Sequence, residues 1–346
     1  MDYKWKLEKL NTIKKNGLKV FSCFSSGGGS SMGYKLAGYE IIGCVDIDKK
    51  MIENYLHNVG AKNHYNMDIR DFNKLLKEYG LPEHLKNLDI LDGSPPCTTF
   101  STAGLREKSY GVKKKFREGQ KEQTLDDLYF EFIETTKLIK PKVVISENVK
   151  GLTIGTAKEY FNRILKGFND IGYRNMYSII NAIDCGVPQN RERLFIISVR
   201  EDVLSELNGV YLDLEFRKKE IGFEQATKEF WHEKRQMCKK NGVVYDAWHK
   251  AKEGSKLGKE TMFSHIRLHR DSAAPTITAV KSLYHPLICG YLNDSEIKTC
   301  GSFPIDYKTV NEVDINYICG MSVPPLMTYE ISKEVAKKIF NIEYDL

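Results

Sequence analysis

The sequence lacks three features, each of which would have pointed to a particular class of protein. No apolar run approaches the roughly 20 residues of a membrane-spanning helix, and residues 1–15 lack the apolar middle of a signal peptide. The eight cysteines form no C-x-x-C pair, which argues against a zinc site. We therefore expect a cytoplasmic protein with free thiols, no metal and no contact with a membrane.

A strong excess of charge of one sign is also missing. The formal net charge is +6 over 346 residues, which fits ordinary solubility and permits a polyanionic partner without requiring one. The sequence shows no internal repeat and no low-complexity tract. Its length is large for a single compact core, so we expect one large domain and one smaller domain.

Short apolar runs alternate with helical patterns over the first 200 residues. We predict buried strands at 18–23, 40–46, 88–91, 142–146, 177–183 and 194–199. We predict helices at 32–37, 50–59, 125–139 and 160–168. This alternation is typical of a parallel α/β sheet that helices cover on both faces.

The alternating pattern weakens after Arg200. Residues 201–270 are polar and carry scattered glycines, and clean amphipathic spacing returns only in a final helix at 329–340. We therefore expect a main domain over 1–200, a smaller inserted domain over 201–289, and a return to the main domain over 290–346.

A glycine-rich turn follows the first predicted strand, and Asp46 ends the second. This order is typical of nucleotide binding, because glycines let the backbone approach a ligand and a strand-end acid binds ribose hydroxyls. The dinucleotide pattern G-x-G-x-x-G fails, since Gly27 and Gly29 are followed by Met32. A ligand with ribose but no diphosphate fits better, and S-adenosylmethionine is the common one.

Three further segments indicate chemistry at the edge of the predicted sheet. Cys97 follows Gly-Ser-Pro-Pro directly after a strand, and Glu147 ends the next strong strand. Arg191 and Arg193 alternate, so they share one face of a strand. Taken singly, a cysteine is usually a packing residue, and these charges could form surface salt bridges. Their common position at the strand ends favours a reactive site.

In this order the segments resemble the DNA cytosine-5 methyltransferase family, and the resemblance covers nearly the whole chain except about 201–275. The similar stretches are 24–38, Asp46, Asp68-Ile69, 93–101, 128–131, 147–149, Gln189-x-Arg191-x-Arg193, 303–304 and 320–325. Four positions depart from the family pattern. They are Ser26 for glycine, Asp46 for glutamate, Thr98 for glutamine and Met321 for asparagine.

The resemblance implies a Rossmann-like S-adenosylmethionine-dependent fold with an inserted target-recognition domain at 201–289. It implies double-stranded DNA as substrate, S-adenosylhomocysteine as product and a monomer. The cofactor-binding residues it implies are Phe24, Ser25, Gly27, Gly28, Gly29, Asp46, Ile47, Asp68, Ile69, Ser94, Pro95, Ser322 and Val323. The DNA-binding residues we expect are Ser101, Arg106, Lys113, Lys114, Lys115 and Gln189.

The implied chemistry assigns a role to each catalytic candidate. The Cys97 thiolate would add to carbon 6 of a flipped-out cytosine and make carbon 5 nucleophilic. Glu147 would hydrogen-bond or protonate ring N3. Arg193 would hold the exocyclic oxygen of the base, with Arg191 orienting the site.

Two basic stretches are candidates for contact with nucleic acid. Residues 106–121, just after Cys97, hold seven cations, two acids and two glycines, with Gly104 just before them, which suits a mobile clamp on phosphates. Residues 231–270 hold ten cations and four acids, interleaved with Trp231, Tyr245 and Trp248. A solvated loop is the plain alternative for the first stretch, and a small aromatic core is the alternative for the second.

Two other functions remain open from the sequence. One branch of the family modifies transfer RNA, and it usually has threonine where this chain has Ser101, which favours DNA. A non-catalytic DNA-binding relative would be expected to lose Cys97, Glu147 or an arginine, and this chain keeps them all.

Overall fold

The computed structural model describes residues 1–96, 128–155, 157–207, 211–258 and 264–344. Six of the predicted site residues therefore lie outside the described residues. They are Cys97, Ser101, Arg106, Lys113, Lys114 and Lys115. The predicted basic clamp at 106–121 also lies outside them.

Eleven strands occur in the described residues. They are β1 (Lys19–Cys23), β2 (Glu40–Asp46), β3 (Asn63–Asn66), β4 (Ile90–Gly93), β5 (Val143–Val149), β6 (Tyr173–Asn181), β7 (Gln189–Asn190), β8 (Glu192–Arg200), β9 (Ile266–Arg267), β10 (Ala274–Pro275) and β11 (Leu283–Tyr284). Seven of them form one sheet in the order β3-β2-β1-β4-β5-β8-β6. The remaining four form two small parallel pairs, β10 with β7 and β11 with β9.

Twelve α-helices accompany these strands in the described residues. They are α1 (Lys9–Thr12), α2 (Gly29–Leu36), α3 (Lys49–Asn58), α4 (Ile69–Tyr79), α5 (Leu128–Ile139), α6 (Ala157–Asp170), α7 (Glu201–Ser205), α8 (Phe223–Thr227), α9 (Val243–Lys250), α10 (Asp294–Cys300), α11 (Ile315–Met321) and α12 (Pro325–Phe340). The fold is a mixed α/β structure with a central sheet, consistent with the predicted Rossmann-like methyltransferase fold.

One strand runs against the prediction of a parallel sheet. β8 pairs antiparallel with both β5 and β6, whereas every other pair in the sheet is parallel. Only a short connection, residues 182–191, separates β6 from β8. A parallel crossover needs a dozen residues or more, so this connection favours an antiparallel return.

The sheet is buried on both faces, as predicted. Because successive side chains of a strand point to opposite faces, Val20 and Phe21 of β1 enter different hydrophobic clusters. Ile90 and Leu91 of β4 divide in the same way. One cluster lies with α2, α3 and α12, and the other with α4, α5 and α6.

The segment after β8 has little regular structure, but it is firmly packed. Arg235 forms a double hydrogen bond with Glu296 of α10 at 3.0 Å, and both side chains are almost fully buried. Trp231 lies 4.6 Å from the His285 ring, and Trp248 donates to the carbonyl of His285. Trp248 is buried in a small separate cluster with Leu257 and Tyr284, and Trp231 is partly buried against the main cluster.

After this segment, α10 packs against α8 and α11, and α12 packs against α2. Residues from both sides of position 200, such as Ile197 and Phe223, share one hydrophobic cluster. The division into three segments at 200 and 289 stays a prediction. Within the described part of the chain, no helix is both long and apolar enough to cross a membrane.

Candidate active site

A cleft of about 790 Å³, partly open to solvent, lies at the carboxyl edge of β1, β2 and β4. Parallel sheets commonly bind ligands at this edge, because the loops that follow the strands converge there. Six of the predicted cofactor residues line the cleft: Phe24, Asp46, Ile47, Asp68, Ile69 and Ser94. Ser26, Val45, Asp48, Met51, Met67, Pro96, Leu128, Tyr317 and Met321 complete the lining. Pro95 is not among the lining residues, whereas its neighbour Pro96 is.

The three glycines of the turn are required by packing within the protein. A Cβ at Gly27 would lie 2.3 Å from Ile318, and one at Gly29 would lie 2.1 Å from the carbonyl of Val323. Gly28 has a φ of +86° and is the N-cap residue just before α2. None of the three, nor the buried Ser25, lines the cleft. Because these glycines lack side chains, the turn can pack closely against α11 and the segment that follows it.

Asp46, at the end of β2, presents a fixed carboxylate to the cleft. Its Oδ2 accepts from the backbone N–H of Ser26, and its Oδ1 from that of Asp48, both at 2.8 Å. Ser26 has a φ of +46°, a left-handed conformation that explains why glycine is usual at this position. An oriented carboxylate of this kind can accept hydrogen bonds from two ribose hydroxyls.

Asp68 has a structural role as well as a place on the cleft wall. It caps α4 by accepting from the N–H of Arg70 at 2.8 Å, and it forms an ion pair with the Arg70 guanidinium at 3.2 Å. Ile69 is buried in the cluster that lies with α4. This part of the cleft wall is therefore held in place by the N-terminus of α4.

The opposite wall of the cleft comes from α11, through Tyr317 and Met321. Sequence reasoning quoted Met321 only as a departure from a pattern and missed Tyr317. The helical spacing of four between them was the available signal. Ser322 and Val323, predicted to bind cofactor, are buried beside the glycine turn and do not line the cleft.

The segment that leads to Cys97 is held against β5. The side-chain amide of Asn148 donates to the carbonyl of Pro95 at 3.1 Å. A Cβ at Gly93 would lie 2.5 Å from Phe132, so the strand end packs directly on α5. Asn148 therefore fixes the backbone two residues before the predicted nucleophile, and it was not among the predicted site residues.

Glu147 and Arg193 form an ion pair across neighbouring strands. Arg193 Nε lies 2.9 Å from Glu147 Oε1, and the two side chains are only 15% and 13% exposed. Burial lowers the pKa of Arg193 from its ordinary value, and the nearby Glu147 charge opposes that shift. Two predicted catalytic residues are thus brought into contact.

Arg191 is buried and serves three backbone carbonyls. Its Nη1 donates to Ile277 at 2.9 Å, and its Nη2 donates to Gly320 and Ser322 at 3.1 Å each. Burial, followed by the Arg193 charge, lowers the pKa of Arg191 to about 9. These contacts join β7 and β8 to the chain around 277 and to the end of α11, which suits an orienting role.

Gln189 lies in the interior. Its amide nitrogen donates to the carbonyl of Cys300 at 3.2 Å, and its oxygen accepts from the N–H of Ile277 at 3.1 Å. Its contact with DNA stays a prediction, and its 1% exposure does not support it.

The described part of the chain contains no candidate metal-binding site. No group of three or more His, Cys, Asp or Glu side chains there could hold a metal ion.

Comparison with known proteins identifies one matching family. The model of the C-5 cytosine-specific DNA methylases matches residues 18–337. The chain is 35% identical over 208 residues to an orphan methyltransferase of Bacillus phage SPR, covering 59% of this chain and 42% of that protein. It is 34% identical over 186 residues to a type II methyltransferase of Fusobacterium nucleatum, covering 54% and 48%.

A longer match at lower identity covers nearly the whole chain. A putative type II methyltransferase of Methanocaldococcus jannaschii is 27% identical over 333 residues, which is 93% of this chain and 100% of that protein. The matches to the phage SPR and Fusobacterium proteins, by contrast, span less than half of those proteins.

Solved structures share the fold. A putative DNA modification methyltransferase encoded within an Escherichia coli prophage superposes with a TM-score of 0.71 at 18% identity, covering 94% of this chain and 100% of that one. The Spodoptera frugiperda DNMT2 structure gives a TM-score of 0.63 at 17% identity, covering 92% and 99%.

Proposed function

This chain belongs to the family of C-5 cytosine-specific DNA methylases, and on that premise we propose that it methylates carbon 5 of cytosine in double-stranded DNA. The observation that carries the proposal is the Glu147–Arg193 pair beside Asn148, which holds the backbone leading to Cys97. Activation of the cytosine ring requires a carboxylate, an arginine and a cysteine. The first two lie at this strand edge, and the described chain that leads to Cys97 is held there by Asn148.

We propose S-adenosylmethionine as the methyl donor. The cleft offers suitable groups to two parts of the cofactor's adenosine. The fixed carboxylate of Asp46 suits the ribose hydroxyls, and Phe24, Ile47 and Ile69 offer apolar surface to the purine ring. When bound, the cofactor would supply the electrophilic methyl group. Its product would be S-adenosylhomocysteine.

The chain's own residues would activate the base. The Cys97 thiolate would form a bond to carbon 6, which moves electron density to carbon 5. Once carbon 5 carries the methyl group, loss of its proton to a base and cleavage of the carbon–sulfur bond would restore the ring and the thiolate. Cys97 lies outside the described residues, so this role rests on its place in the sequence.

Glu147 and Arg193 would act on the other edge of the ring. We propose that Glu147, in its protonated form, donates to ring N3, and that Arg193 donates to the exocyclic oxygen. The ion pair between them fixes the carboxyl orientation before the base arrives. Such preorganisation favours the transition state because no reorientation is needed at the moment of reaction.

The base must leave the duplex to reach this edge, so we propose base flipping. We assign target recognition to residues 201–289 and closure over the DNA to residues 106–121. Cytoplasmic location and the monomeric state stay predictions.

The test is methyl incorporation from labelled S-adenosylmethionine into duplex DNA and, in parallel, into transfer RNA. We expect incorporation into DNA only, and bisulfite sequencing of DNA from cells that express the protein should reveal one sequence context. Incorporation into transfer RNA alone would overturn the choice of substrate. Absence of incorporation into both would overturn the proposed activity.

A further inference from the structure

A buried carboxylate without a positively charged partner lies below the cleft. Asp92, in β4, is 6% exposed. Its Oδ2 accepts from the hydroxyls of Ser22 and Ser30 at 2.7 Å each, and its Oδ1 accepts from the Tyr34 hydroxyl at 3.2 Å. Among the described residues, no lysine, arginine or histidine forms an ion pair with it.

This arrangement is unfavourable for the protein alone. Burial raises the pKa of Asp92 to about 6, the three hydroxyl donors oppose the shift, and the Glu147 charge adds to it. The side chain is thus ionised at neutral pH at a cost, since a buried charge is normally paired. Asp89, also buried, shows the usual solution: it lies 2.8 Å from the ammonium of Lys142.

The position of Asp92 relates it to the cleft. It pairs in register with Ser22 of β1, and both Ser94 and Phe24, two residues further along each strand, line the cleft. Two residues of strand span roughly 7 Å. The carboxylate therefore lies one layer below the cleft floor.

We propose that Asp92 is the counter-charge for the sulfonium of S-adenosylmethionine. The inference rests on the cofactor proposed above. The donor carries a positive sulfonium, whereas the product is a neutral thioether with the same adenosine and amino acid groups. The Asp92 carboxylate below the cleft floor would therefore favour binding of the donor over binding of the product through charge alone.

The discrimination has a consequence for turnover. Once the methyl group has been transferred, the cofactor's sulfur is neutral and its attraction to Asp92 is lost. The anion therefore raises the affinity for S-adenosylmethionine and leaves the affinity for S-adenosylhomocysteine as it would be in a site without it. The same carboxylate would raise affinity for the donor and limit inhibition by the product.

The direct test is calorimetric binding of three ligands to wild type and Asp92→Asn. They are S-adenosylmethionine, S-adenosylhomocysteine, and sinefungin, whose amine carries positive charge near the sulfonium position. Asparagine can still accept the two serine hydroxyls through its amide oxygen. We expect Asp92→Asn to weaken the two cationic ligands about fivefold or more, as for charges separated by several ångströms of protein. The neutral ligand should change less than about twofold.

Two matched variants separate charge from structure. Asp89→Asn removes a buried carboxylate that is paired with Lys142, and Tyr34→Phe removes a hydrogen bond to Asp92. Because that hydrogen bond lowers the pKa of Asp92, Tyr34→Phe is compared with wild type well above neutral pH, where the carboxylate stays ionised. Neither should change the ratio of S-adenosylmethionine to S-adenosylhomocysteine affinity. An equal loss for all three ligands in Asp92→Asn, or no change for any, would overturn the proposal.

A measurement on the wild type covers the case in which Asp92→Asn does not fold. The preference for sinefungin over S-adenosylhomocysteine should fall as the pH is lowered through about 6. The groups that face Asp92 are the Ser22, Ser30 and Tyr34 hydroxyls, the Glu147 charge, the Cys23 thiol of β1 and the Tyr55 hydroxyl of α3. The pKa values of Cys23, Tyr34 and Tyr55 are raised well above their ordinary values, so these three groups stay neutral as the pH falls through 6. The dependence should therefore persist in Glu147→Gln, and a flat profile would contradict the inference. If wild type bound none of the three ligands, the cofactor proposal itself would fail.

Discussion

Arg193 Nε lies 2.9 Å from Glu147 Oε1, and the two residues sit on neighbouring antiparallel strands. Glu147 faces Phe195 in the register, and Arg193 faces Val149, so the pair is diagonal. The diagonal lies at the end of β5, the edge at which Asn148 holds the chain before Cys97. A substrate base at this edge would meet both groups of the pair.

Glu147→Gln should reduce turnover by at least about 100-fold, the usual scale of general acid–base catalysis. Glutamine keeps the size of the side chain, but it has no acidic proton to donate and no negative charge to form an ion pair with Arg193. Calorimetry should show nearly unchanged affinity for the cofactor, because Glu147 does not line the cleft. Near-normal turnover would mean that another group activates ring N3.

Cys97→Ala should abolish methyl transfer while leaving cofactor binding largely intact. Wild type should also form an adduct with duplex DNA containing 5-fluorocytosine, because fluorine at carbon 5 cannot leave as a proton does. The adduct should survive denaturation on a gel. An adduct of the same kind in Cys97→Ala would show that another nucleophile attacks carbon 6.

Arg191→Lys should lower the free energy of unfolding by about 2 kcal/mol or more, because charge-assisted hydrogen bonds to buried carbonyls are lost. A lysine ammonium cannot reproduce the planar contacts with Ile277, Gly320 and Ser322. Urea unfolding measures the change. Arg217→Lys, at an exposed site, is the control and should have little effect. Equal stability of Arg191→Lys and wild type would show that these contacts contribute little.

The buried charge of Asp92 predicts a stability difference that depends on pH. Its pKa is about 6 in the folded protein against an ordinary value of 3.8, so ionisation disfavours the folded state. The cost is absent below about pH 4, grows as the pH rises through 6, and is fully present above it. Asp92→Asn should therefore stabilise the protein above pH 7 by up to about 3 kcal/mol, and unfolding curves at several pH values would measure this. A destabilised variant at every pH would show that the hydrogen bonds outweigh the charge.

The sequence predicted much of the sheet because the evidence there is local. Asp46 ends β2 at the predicted position, and alternation in β1 and β4 places the core on both faces. The antiparallel direction of β8 was missed because strand direction depends on the connection, and apolar patterning does not report it. The only signal of antiparallel pairing in the sequence was the short length of the connection at 182–191.

The candidate site was predicted unevenly for a physical reason. Glu147 and Arg193 have side chains whose chemistry is readable, and the structure brings them together. In a sequence, the glycines at 27–29 fit either close approach of a ligand or tight packing. A Cβ added at Gly27 or Gly29 would clash with Ile318 or Val323, which shows tight packing. Asp92 could not be predicted, because its importance lies in having no cation partner among the described residues, which only the three-dimensional arrangement reveals.

The basic segment at 106–121 gives the last prediction. A flipped base must be held over Cys97 and shielded from water, and a loop that closes on DNA could do both. Lys113, Lys114 and Lys115 are consecutive cations in this segment, with glycines on either side that allow it to bend. Neutralising all three should weaken DNA binding and flatten its dependence on salt, by up to about one counterion for each lost phosphate contact.

The measurement is DNA affinity across a salt series for wild type and for the triple variant to glutamine. Cofactor affinity should not change, because the cleft lining that the described residues provide, including Asp46 and Asp68, comes from other segments. Replacing Lys337 and Lys338, near the end of α12, provides a control with consecutive lysines elsewhere on the chain, and its salt slope should equal that of wild type. Identical slopes for wild type and the triple variant would mean that the three lysines do not contact phosphate, and the segment would then be an ordinary solvated loop.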